Sequence, residues 1–274
     1  MLTELQFARL KHLSLLRAGI LLEECHRRTL DKRIARFGQV TGLNCQDILA
    51  QVEQTDPQSL STLYELIATP HTAFFRHPWH FDLAAEHALW IAKRRHRARI
   101  WCTAAASGEE PFSMALAAID IFQNDAPPVD ILATDLGSPI LQQGRAGCPR
   151  HAPPAQVMQR FRRFFEIEGV GGVQLRPPVR SLIEFRELNL VDAQWPELGQ
   201  WDVVFCRNVL MYLHPDYRDT ILRRLCVLLA PDGILLIDPA EHLGQAEPLF
   251  QSCGPGAYRV ANQVACDKPG RLHR

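Results

Sequence analysis

The chain has 274 residues, which is enough for one large domain or for a medium domain with a small partner. Its 30 basic residues balance its 30 acidic residues, so no net charge indicates nucleic acid or an acidic membrane as a partner. The first 28 residues mix charges into every turn, which excludes a signal peptide or a membrane-spanning run there and predicts a cytoplasmic protein.

Residues 1–70 are predicted to form a helical N-terminal domain, because apolar residues recur every three or four positions in LTELQFARLKHLSLL, DILAQV and LSTLYELIA. Within it, the segment HRRTLDKRIARFG at residues 26–38 is predicted to be a basic amphipathic helix. Its cations are Arg27, Arg28, Lys32, Arg33 and Arg36. Two interpretations stay open: a solvated face over the core, or a docking surface for an acidic partner helix.

Residues 71–97 are predicted to form an interdomain linker and a helix. They contain a local group of histidines, namely His71, His77, His80 and His87. The carboxylates at helical spacing to this group, Asp82 and Glu86, would lie on the surface of the helix in any case, so we predict no metal site. The eight cysteines are scattered without the C-x-x-C spacing of zinc or redox sites, and we predict reduced thiols.

Between residues 98 and 274, short apolar runs alternate with helical patterns. The runs are RIWCTAAAS, VDILATD, LIEFRELNL, WDVVFCRNVL and GILLIDPAE. The helical patterns are EEPFSMALAAIDIF, PILQQGRAG and DYRDTILRRLCVLLA. This alternation predicts an α/β fold with a mainly parallel sheet covered on both faces. Such sheets bind ligands at the carboxyl ends of their strands, and the unusual residues of this chain directly follow the apolar runs.

The alternation weakens at about residues 148–184. This segment is rich in proline and holds a Gly-Gly pair at 171 and 172 within EIEGVGGVQL. A helix followed by a two-stranded hairpin fits the pattern. We therefore predict a small β insertion carried by the main sheet.

The turn AAASGEEPFS after the first predicted strand is made of small residues, which let a ligand approach the backbone closely. A helix opens directly after it, with Pro111 in a position that tolerates proline. The turn lacks both G-x-G-x-x-G and the Walker lysine, so it favours a ligand without phosphates. The acidic pair Glu109 and Glu110 can face a cationic ligand.

Asp135 ends the second predicted strand, VDILATD, about one strand-helix-strand unit later. A carboxylate at this position can accept hydrogen bonds from both hydroxyls of a ribose. An aspartate that closes a strand is also often a helix cap. A nucleoside without phosphates and with positive charge is what S-adenosylmethionine offers.

Six segments between residues 72 and 243 form an ordered series. They are TAFFRHPWHF, WCTAAASGEEPFS, ATDLGSPILQQGRAG, FRELNL, FCRNVLMYL and LLAPDGILLIDPAEHL. This series resembles the successive motifs of the CheR family, the chemotaxis receptor glutamate O-methyltransferases, and the resemblance extends from about residue 13 to about residue 262. It implies a Rossmann-like class I S-adenosylmethionine-dependent methyltransferase sheet with an all-helical N-terminal domain and a small β insertion.

The resemblance also implies the reaction and its partners. The expected product is a glutamyl methyl ester together with S-adenosyl-L-homocysteine. The expected partner is the cytoplasmic helical domain of a methyl-accepting chemotaxis receptor, and a monomer is the default expectation. Two alternatives stay open: the same fold and cofactor with another protein or a small molecule as acceptor, or an adaptor that binds the cofactor without catalysis.

Two residues are implied to be catalytic. Arg76 would contact the cofactor and lie close to the reacting methyl, and Tyr212 matches a tyrosine placed next to that methyl. Thr72 would contact the cofactor from the interdomain linker. Of the acidic pair, Glu110 rather than Glu109 is the better match for the family's cofactor contact.

The remaining implied cofactor residues follow the other strands. Asp135 would bind the ribose. Asn189 and Leu190 would flank the adenine, with Asn189 suited to hydrogen bonding its edge. Arg207 and Asn208 would line the pocket beside the methionine moiety.

The chain departs from the family pattern at four places. Pro70 replaces an asparagine, Gly137 an often acidic residue, Cys148 an aromatic residue, and DPAEH an H-S-E ending. The first departure removes or relocates one hydrogen bond to the cofactor. Those at Cys148 and DPAEH affect the insertion and the pocket rim, and with them the choice of acceptor.

Overall fold

The computed structural model describes residues 2–67, 72–168 and 172–261. Pro70 and His71 lie outside these residues, and so do the expectations attached to them. The predicted boundary between residues 70 and 71 falls in the same gap. The division into domains therefore stays a prediction.

Four helices precede the sheet, as the spacing of apolar residues predicts. They are α1 (Glu4–Ala18), α2 (Arg27–Thr41), α3 (Cys45–Glu53) and α4 (Pro57–Ile67). The hydroxyl of Thr3 caps α1 by accepting the Gln6 N–H at 3.2 Å. Gly19 ends the helix at φ +66°, a left-handed conformation that favours glycine. The four helices share one apolar cluster, which includes Phe7 and Ile48.

Further helices and all of the described strands follow these four helices. The helices are α5 (Pro78–Arg95), α6 (Glu109–Phe122), α7 (Ser138–Ala146), α8 (Ala155–Arg160), α9 (Pro177–Arg180) and α10 (Pro215–Leu228). The strands are β1 (Ala98–Cys102), β2 (Val129–Asp135), β3 (Phe165–Glu168), β4 (Gly172–Leu175), β5 (Ile183–Glu187), β6 (Trp201–Phe205), β7 (Leu229–Leu236), β8 (Phe250–Gly254) and β9 (Ala257–Val260). No helix among those described is long and apolar enough to cross a membrane.

The main sheet has seven strands in the order β5-β2-β1-β6-β7-β9-β8. The first five strands in this order pair in parallel, whereas β9 pairs antiparallel with both of its neighbours, β7 and β8. The predicted α/β fold with a mainly parallel sheet is confirmed. The chain proceeds from β1 to β2 on one side and later returns to β6 on the other, so the topological switch point lies between β1 and β6.

Both faces of this sheet are covered, and the central strand β1 shows how. Successive side chains of a strand point to opposite faces. Ile100 belongs to the cluster that holds Phe81 of α5 and Phe112 of α6. Trp101 belongs to a second cluster, with Leu222 of α10. Because both residues are fully buried, the strand is rigidly held where it ends at the switch point.

The predicted insertion contains the expected helix and hairpin. The helix is α8, and the hairpin pairs β3 with β4 antiparallel in the register Phe165 to Leu175. Phe161 and Phe164, which connect α8 to the hairpin, are buried in the same cluster as Phe112. The insertion is therefore packed against the main sheet by aromatic side chains.

Candidate functional site

A cavity of about 680 Å³ lies at the carboxyl ends of the central strands and extends to the N-terminal helices. Its volume is in the range of pockets that hold a cofactor or a drug-sized ligand. Nine residues predicted to bind the cofactor or act in catalysis line it: Thr72, Arg76, Glu110, Asp135, Asn189, Leu190, Arg207, Asn208 and Tyr212. The structure thus brings together residues that lie up to 140 positions apart in the chain.

Asp135 lies where β2 ends, beside the small-residue turn. Its Oδ2 accepts the Ala106 N–H and its Oδ1 accepts the Leu136 N–H, both at 2.8 Å. Burial raises the pKa of Asp135, and the backbone hydrogen bonds oppose that rise. A carboxylate has about four acceptor positions, so capacity remains for hydroxyl groups in the cavity.

The two adjacent glutamates at the start of α6 have different surroundings. Gly108 precedes the helix at φ +101°, and a Cβ there would lie 2.6 Å from the Phe112 ring. Glu109 is fully buried and accepts the Ser107 hydroxyl at 2.7 Å and the His151 N–H at 2.9 Å. Glu109 therefore fixes the start of the insertion, and Glu110 is the one of the pair that lines the cavity.

Glu110 forms an ion pair with Arg207, whose Nη1 lies 3.2 Å from its Oε2. Burial raises the pKa of Glu110 to about 7, and the positive charge of Arg207 limits the rise. Arg207 also donates to the carbonyl of Arg76, while its buried Nε has no partner among the described residues. An unpaired buried donor at a cavity wall is an expected feature of a site that binds a polar ligand.

The segment that delivers Arg76 is anchored by two phenylalanines. Phe74 is buried and its ring lies 6.4 Å from that of Phe112. The Phe75 N–H donates to the Ser113 hydroxyl at 2.9 Å, and its ring stacks on Phe161 at 5.7 Å. Phe75 has φ +51°, an unfavourable left-handed conformation that these contacts hold in place. The side chain of Arg76 is consequently presented to the cavity.

Asn208 and Tyr212 lie in the turn after β6. Asn208 has φ +57°, and its Nδ2 donates to Asp238 Oδ2 at 2.6 Å. Tyr212 ends a short 3₁₀ turn, and its carbonyl accepts the Leu21 N–H at 2.8 Å. This backbone bond ties the turn to the segment after α1.

Asn189 has partners within the protein. Its Nδ2 donates to the carbonyl of Arg17 at 2.7 Å and to Asp192 Oδ1 at 3.0 Å. Both N–H groups of the carboxamide are therefore engaged, one with the N-terminal helices. Asn189 and Leu190 both line the cavity, but the predicted hydrogen bond from this carboxamide to an adenine edge stays a prediction.

The five cations of α2 have unlike surroundings. Arg27 pairs with Glu4 and donates to the carbonyl of Leu2. Arg33 donates to the carbonyl of Leu66 at 2.8 Å and lines the cavity, as Arg36 does. The side chains at the other two positions are exposed, and they belong to Arg28 and Lys32. Arg36 is exposed as well, so Arg28, Lys32 and Arg36 lie four residues apart on one outward face of the helix, and Arg36 also lines the cavity.

Two buried carboxylates next to the site were not among the predicted residues. Asp238 and Glu241 follow β7, and both are about 95% buried, at 4% and 5% exposed. Both belong to the DPAEH segment, for which the sequence predicts an effect on the pocket rim but no role for an individual residue. A carboxylate directly after a central parallel strand is the pattern that also identified Asp135.

The other departures have simple surroundings. A Cβ on Gly137 would meet only Ile140, at 3.9 Å, so the backbone has room there for a side chain. The Cys148 thiol lies 3.8 Å from the Ala146 carbonyl and 3.9 Å from the Gln174 amide, at the edge of the insertion. Within the described residues, no group of three histidine, cysteine, aspartate or glutamate side chains could hold a metal ion.

Comparison with known proteins identifies relatives along nearly the whole chain. Residues 70–258 match the family model for CheR methyltransferase, SAM binding domain. The chemotaxis protein methyltransferase of Klebsiella aerogenes is 32% identical over 270 residues, which are 96% of this chain and 91% of the relative. That of Escherichia coli is 30% identical over 95% of this chain and 92% of its own. Chemotaxis protein methyltransferase 1 of Pseudomonas aeruginosa is 32% identical over 88% and 93%.

Proposed function

Since the chain belongs to the CheR methyltransferase family, we propose that it transfers a methyl group from S-adenosylmethionine to glutamate side chains of chemotaxis receptors. The product would be a glutamyl methyl ester. The observation that carries the proposal is that one cavity is lined by the carboxylate of Asp135, the guanidinium of Arg76 and the phenol of Tyr212. The first would bind a nucleoside, and the other two would face a carboxylate acceptor.

The residues of the cavity fit S-adenosylmethionine. Asp135 retains acceptor positions for the ribose hydroxyls. Glu110 offers negative charge to the positively charged groups of the cofactor. The buried Nε of Arg207 has no partner among the described residues, and the carboxylate of the cofactor could accept a hydrogen bond from it. Small side chains at Ala104 and Ala106 allow close approach of the ligand to the backbone. These residues would hold the cofactor.

The chemistry requires positioning rather than proton transfer. When bound, S-adenosylmethionine supplies an electrophilic methyl group. A glutamate has a pKa near 4.3 and is already an anion at neutral pH, so the acceptor needs no general base. We propose that Arg76 aligns this carboxylate and that Tyr212 fixes the methyl donor. Transfer joins opposite charges, so exclusion of water from the cavity favours the transition state.

We also propose that the N-terminal helices and the sheet are two domains, with residues 1–70 and 98–274 joined by residues 71–97. The separate apolar cluster of α1 to α4 supports this division. The acceptor would dock on the N-terminal part and react at the sheet. We expect a monomer, because a monomer with one cavity contains every residue named in the mechanism.

One assay and one titration separate the candidate functions. Purified protein is incubated with receptor-containing membranes and labelled S-adenosylmethionine, and base-labile methyl ester is measured. Ester formation is the expected result. Cofactor binding by calorimetry without ester formation on receptors would favour another acceptor or a non-catalytic adaptor. A protein that binds neither S-adenosylmethionine nor S-adenosylhomocysteine would contradict the proposal.

Cofactor affinity is expected to depend on pH near neutrality through Glu110. Burial raises the pKa of this group to about 7, and the ammonium group of S-adenosylhomocysteine, which has no sulfonium, favours the ionised form of Glu110. Affinity for S-adenosylhomocysteine should therefore rise as the pH increases through about 7 and level off about one unit above it. Below that pH it should fall, by at most about tenfold per pH unit, because Glu110 is then protonated.

Calorimetric titration between pH 5.5 and 8.5 in two buffers of different ionisation enthalpy measures this effect. Binding near pH 7 should release a proton to the buffer. The matched control is Glu110→Gln, in which the pH dependence and the proton release should both disappear. A wild-type affinity that stays constant from pH 6 to pH 8 would refute the assignment.

The exposed cations of α2 are expected to recruit the acceptor. The double change Arg28→Glu and Lys32→Glu should weaken receptor binding by about tenfold or more, because each charge reversal turns an attraction to an acidic helix into a repulsion. Arg27 and Arg33 are unsuitable for this test, since both also hold the fold together. The effect should shrink as salt is raised.

Receptor binding is measured by co-sedimentation with membranes, and cofactor binding by calorimetry. The matched control reverses two exposed cations on another helix, Lys93→Glu and Arg94→Glu of α5. That control should bind receptor membranes like the wild type, and both double variants should bind S-adenosylhomocysteine normally. Equal loss of receptor binding in the two double variants would show a general charge effect and contradict a docking role for α2.

A further inference from the structure

The segment Asp238–His242 after β7 places two buried carboxylates against residues of the cavity wall. The side chain of Asp238 contacts Arg76, His77 and Asn208. Within the described part of the chain, the side chain of Glu241 accepts hydrogen bonds from backbone groups only. The two carboxylates therefore act on different parts of the site, and the function proposed above assigns a role to neither.

Glu241 holds the backbone of the turn after β6. Its Oε2 accepts the N–H of Asn208 at 2.9 Å and that of Asp238 at 3.1 Å. Its Oε1 accepts the Met211 N–H at 3.2 Å. These bonds span the turn from Asn208, with its left-handed φ of +57°, to the residue before Tyr212. Glu241 thus fixes the backbone from which both side chains project.

Asp238 contacts side chains through one carboxylate oxygen and backbone through the other. Its Oδ2 lies 2.6 Å from Asn208 Nδ2, 3.1 Å from His77 Nε2 and 3.6 Å from Arg76 Nη2. Its Oδ1 accepts the Ala240 N–H at 3.0 Å. Burial opposes ionisation of this group, but the hydrogen bonds outweigh burial and lower its pKa below the ordinary value. At neutral pH Asp238 is an anion beside the guanidinium of Arg76.

We propose that Asp238 is a positioning residue of the methyl-transfer site, which orients the guanidinium of Arg76 and the carboxamide of Asn208 toward the cavity. The inference rests on the proposed function. The Arg76 side chain is 38% exposed and has several rotatable bonds, so contact with a buried anion restricts the orientations that it adopts. Asn208 is restricted by its short hydrogen bond to the same oxygen. Alignment of a carboxylate acceptor depends on such restriction.

A purely structural role for Asp238 is the competing explanation, since its Oδ1 also caps the turn at Ala240. The two explanations differ in coupling. A residue that acts through Arg76 loses its influence on turnover when Arg76 is removed. A residue that only supports the fold affects turnover by the same factor in either background.

A double-mutant cycle tests this difference. Asp238→Asn keeps the shape of the side chain and removes its charge, and it should lower kcat at saturating acceptor by about 10–100-fold. In the Arg76→Ala background the same change should lower kcat by a clearly smaller factor, because only the contact with Asn208 is then left to lose. The matched control is Asp232→Asn, which removes a carboxylate that pairs with Arg95 at 3.0 Å away from the cavity and should leave kcat unchanged. Unaltered kcat in Asp238→Asn, or an equal factor in both backgrounds, would overturn the proposal.

A second measurement does not depend on turnover. The side-chain amide protons of Asn208, assigned by their loss in Asn208→Asp, should resonate downfield in the wild type and move upfield in Asp238→Asn. An unchanged resonance would overturn the proposal. If Asp238→Asn does not fold, Asp238→Glu moves the charge by one methylene, and it should lower kcat by about tenfold; full turnover would overturn the proposal. A wild type that forms no methyl ester would instead refute the proposed function, because the amide resonance still reports the contact.

Discussion

Replacement of Arg76 by alanine is expected to lower kcat by about 10²–10³-fold, the usual effect of removing one group that stabilises charge in a transition state. The thermal midpoint should change little, because the side chain is 38% exposed. Affinity for S-adenosylhomocysteine should fall by no more than about tenfold, since Asp135 and Glu110 still line the cavity. Initial rates of methyl ester formation at saturating acceptor measure the main effect.

Two further variants give this result its meaning. Arg76→Lys keeps the charge but loses the planar, forked donors, and it should retain more turnover than alanine does. Arg223→Ala removes a surface arginine that pairs with Asp219 at 2.8 Å, and it should behave like the wild type. Full turnover of Arg76→Ala at saturating acceptor would remove this residue from the mechanism.

Asp135→Ala is expected to weaken S-adenosylhomocysteine binding by roughly 30–1,000-fold. Two hydroxyl groups that donate to a carboxylate contribute about 3–6 kcal/mol together, and water that replaces the carboxylate recovers about a third of this, so that a loss of about 2–4 kcal/mol remains. The change also leaves the N–H groups of Ala106 and Leu136 without their side-chain acceptor, so some loss of stability accompanies it. Calorimetry gives the affinity, and thermal unfolding gives the stability.

The matched control for this variant is on the same strand. Asp130→Ala removes an exposed carboxylate from β2 five residues earlier, where it pairs with Arg97, and cofactor affinity should be unaffected. With Asp135→Ala, a change of less than about threefold at normal stability would show that Asp135 serves only as a cap. The nucleoside would then be held by other residues of the cavity.

The sheet and its ligand-binding edge could be predicted because their signals are local. Each central strand is a short apolar run, and burial on both faces requires apolar residues at consecutive positions, as Ile100 and Trp101 show. Parallel strands place their carboxyl ends at one edge. The position of Asp135 at the end of such a run therefore predicted a residue of the cavity wall.

Side-chain direction could not be predicted from the same signals. Glu109 and Glu110 are adjacent in sequence, and one is buried against the insertion while the other lines the cavity, because neighbouring helical positions point about 100° apart. The carboxamide of Asn189 is engaged by Arg17, which is 172 positions away. Such long-range partners leave no pattern in a single sequence.

The positions of the buried carboxylates after β7 illustrate a different limit. Asp238 and Glu241 accept hydrogen bonds or ion-pair contacts from three separate segments of the chain. The sequence shows only that DPAEH replaces the H-S-E ending of the family pattern at the pocket rim. The three-dimensional arrangement was needed to see that this segment contacts both Arg76 and Asn208.

Two backbone hydrogen bonds join the turn that carries Tyr212 to the segment directly after α1. Leu21 donates to the Tyr212 carbonyl and His214 donates to the Gly19 carbonyl, each at 2.8 Å. The N-terminal helices thus form part of the cavity wall and also hold the backbone next to Tyr212. A chimera that exchanged those helices for the ones of a relative would therefore change the cavity wall together with the proposed docking surface for the acceptor.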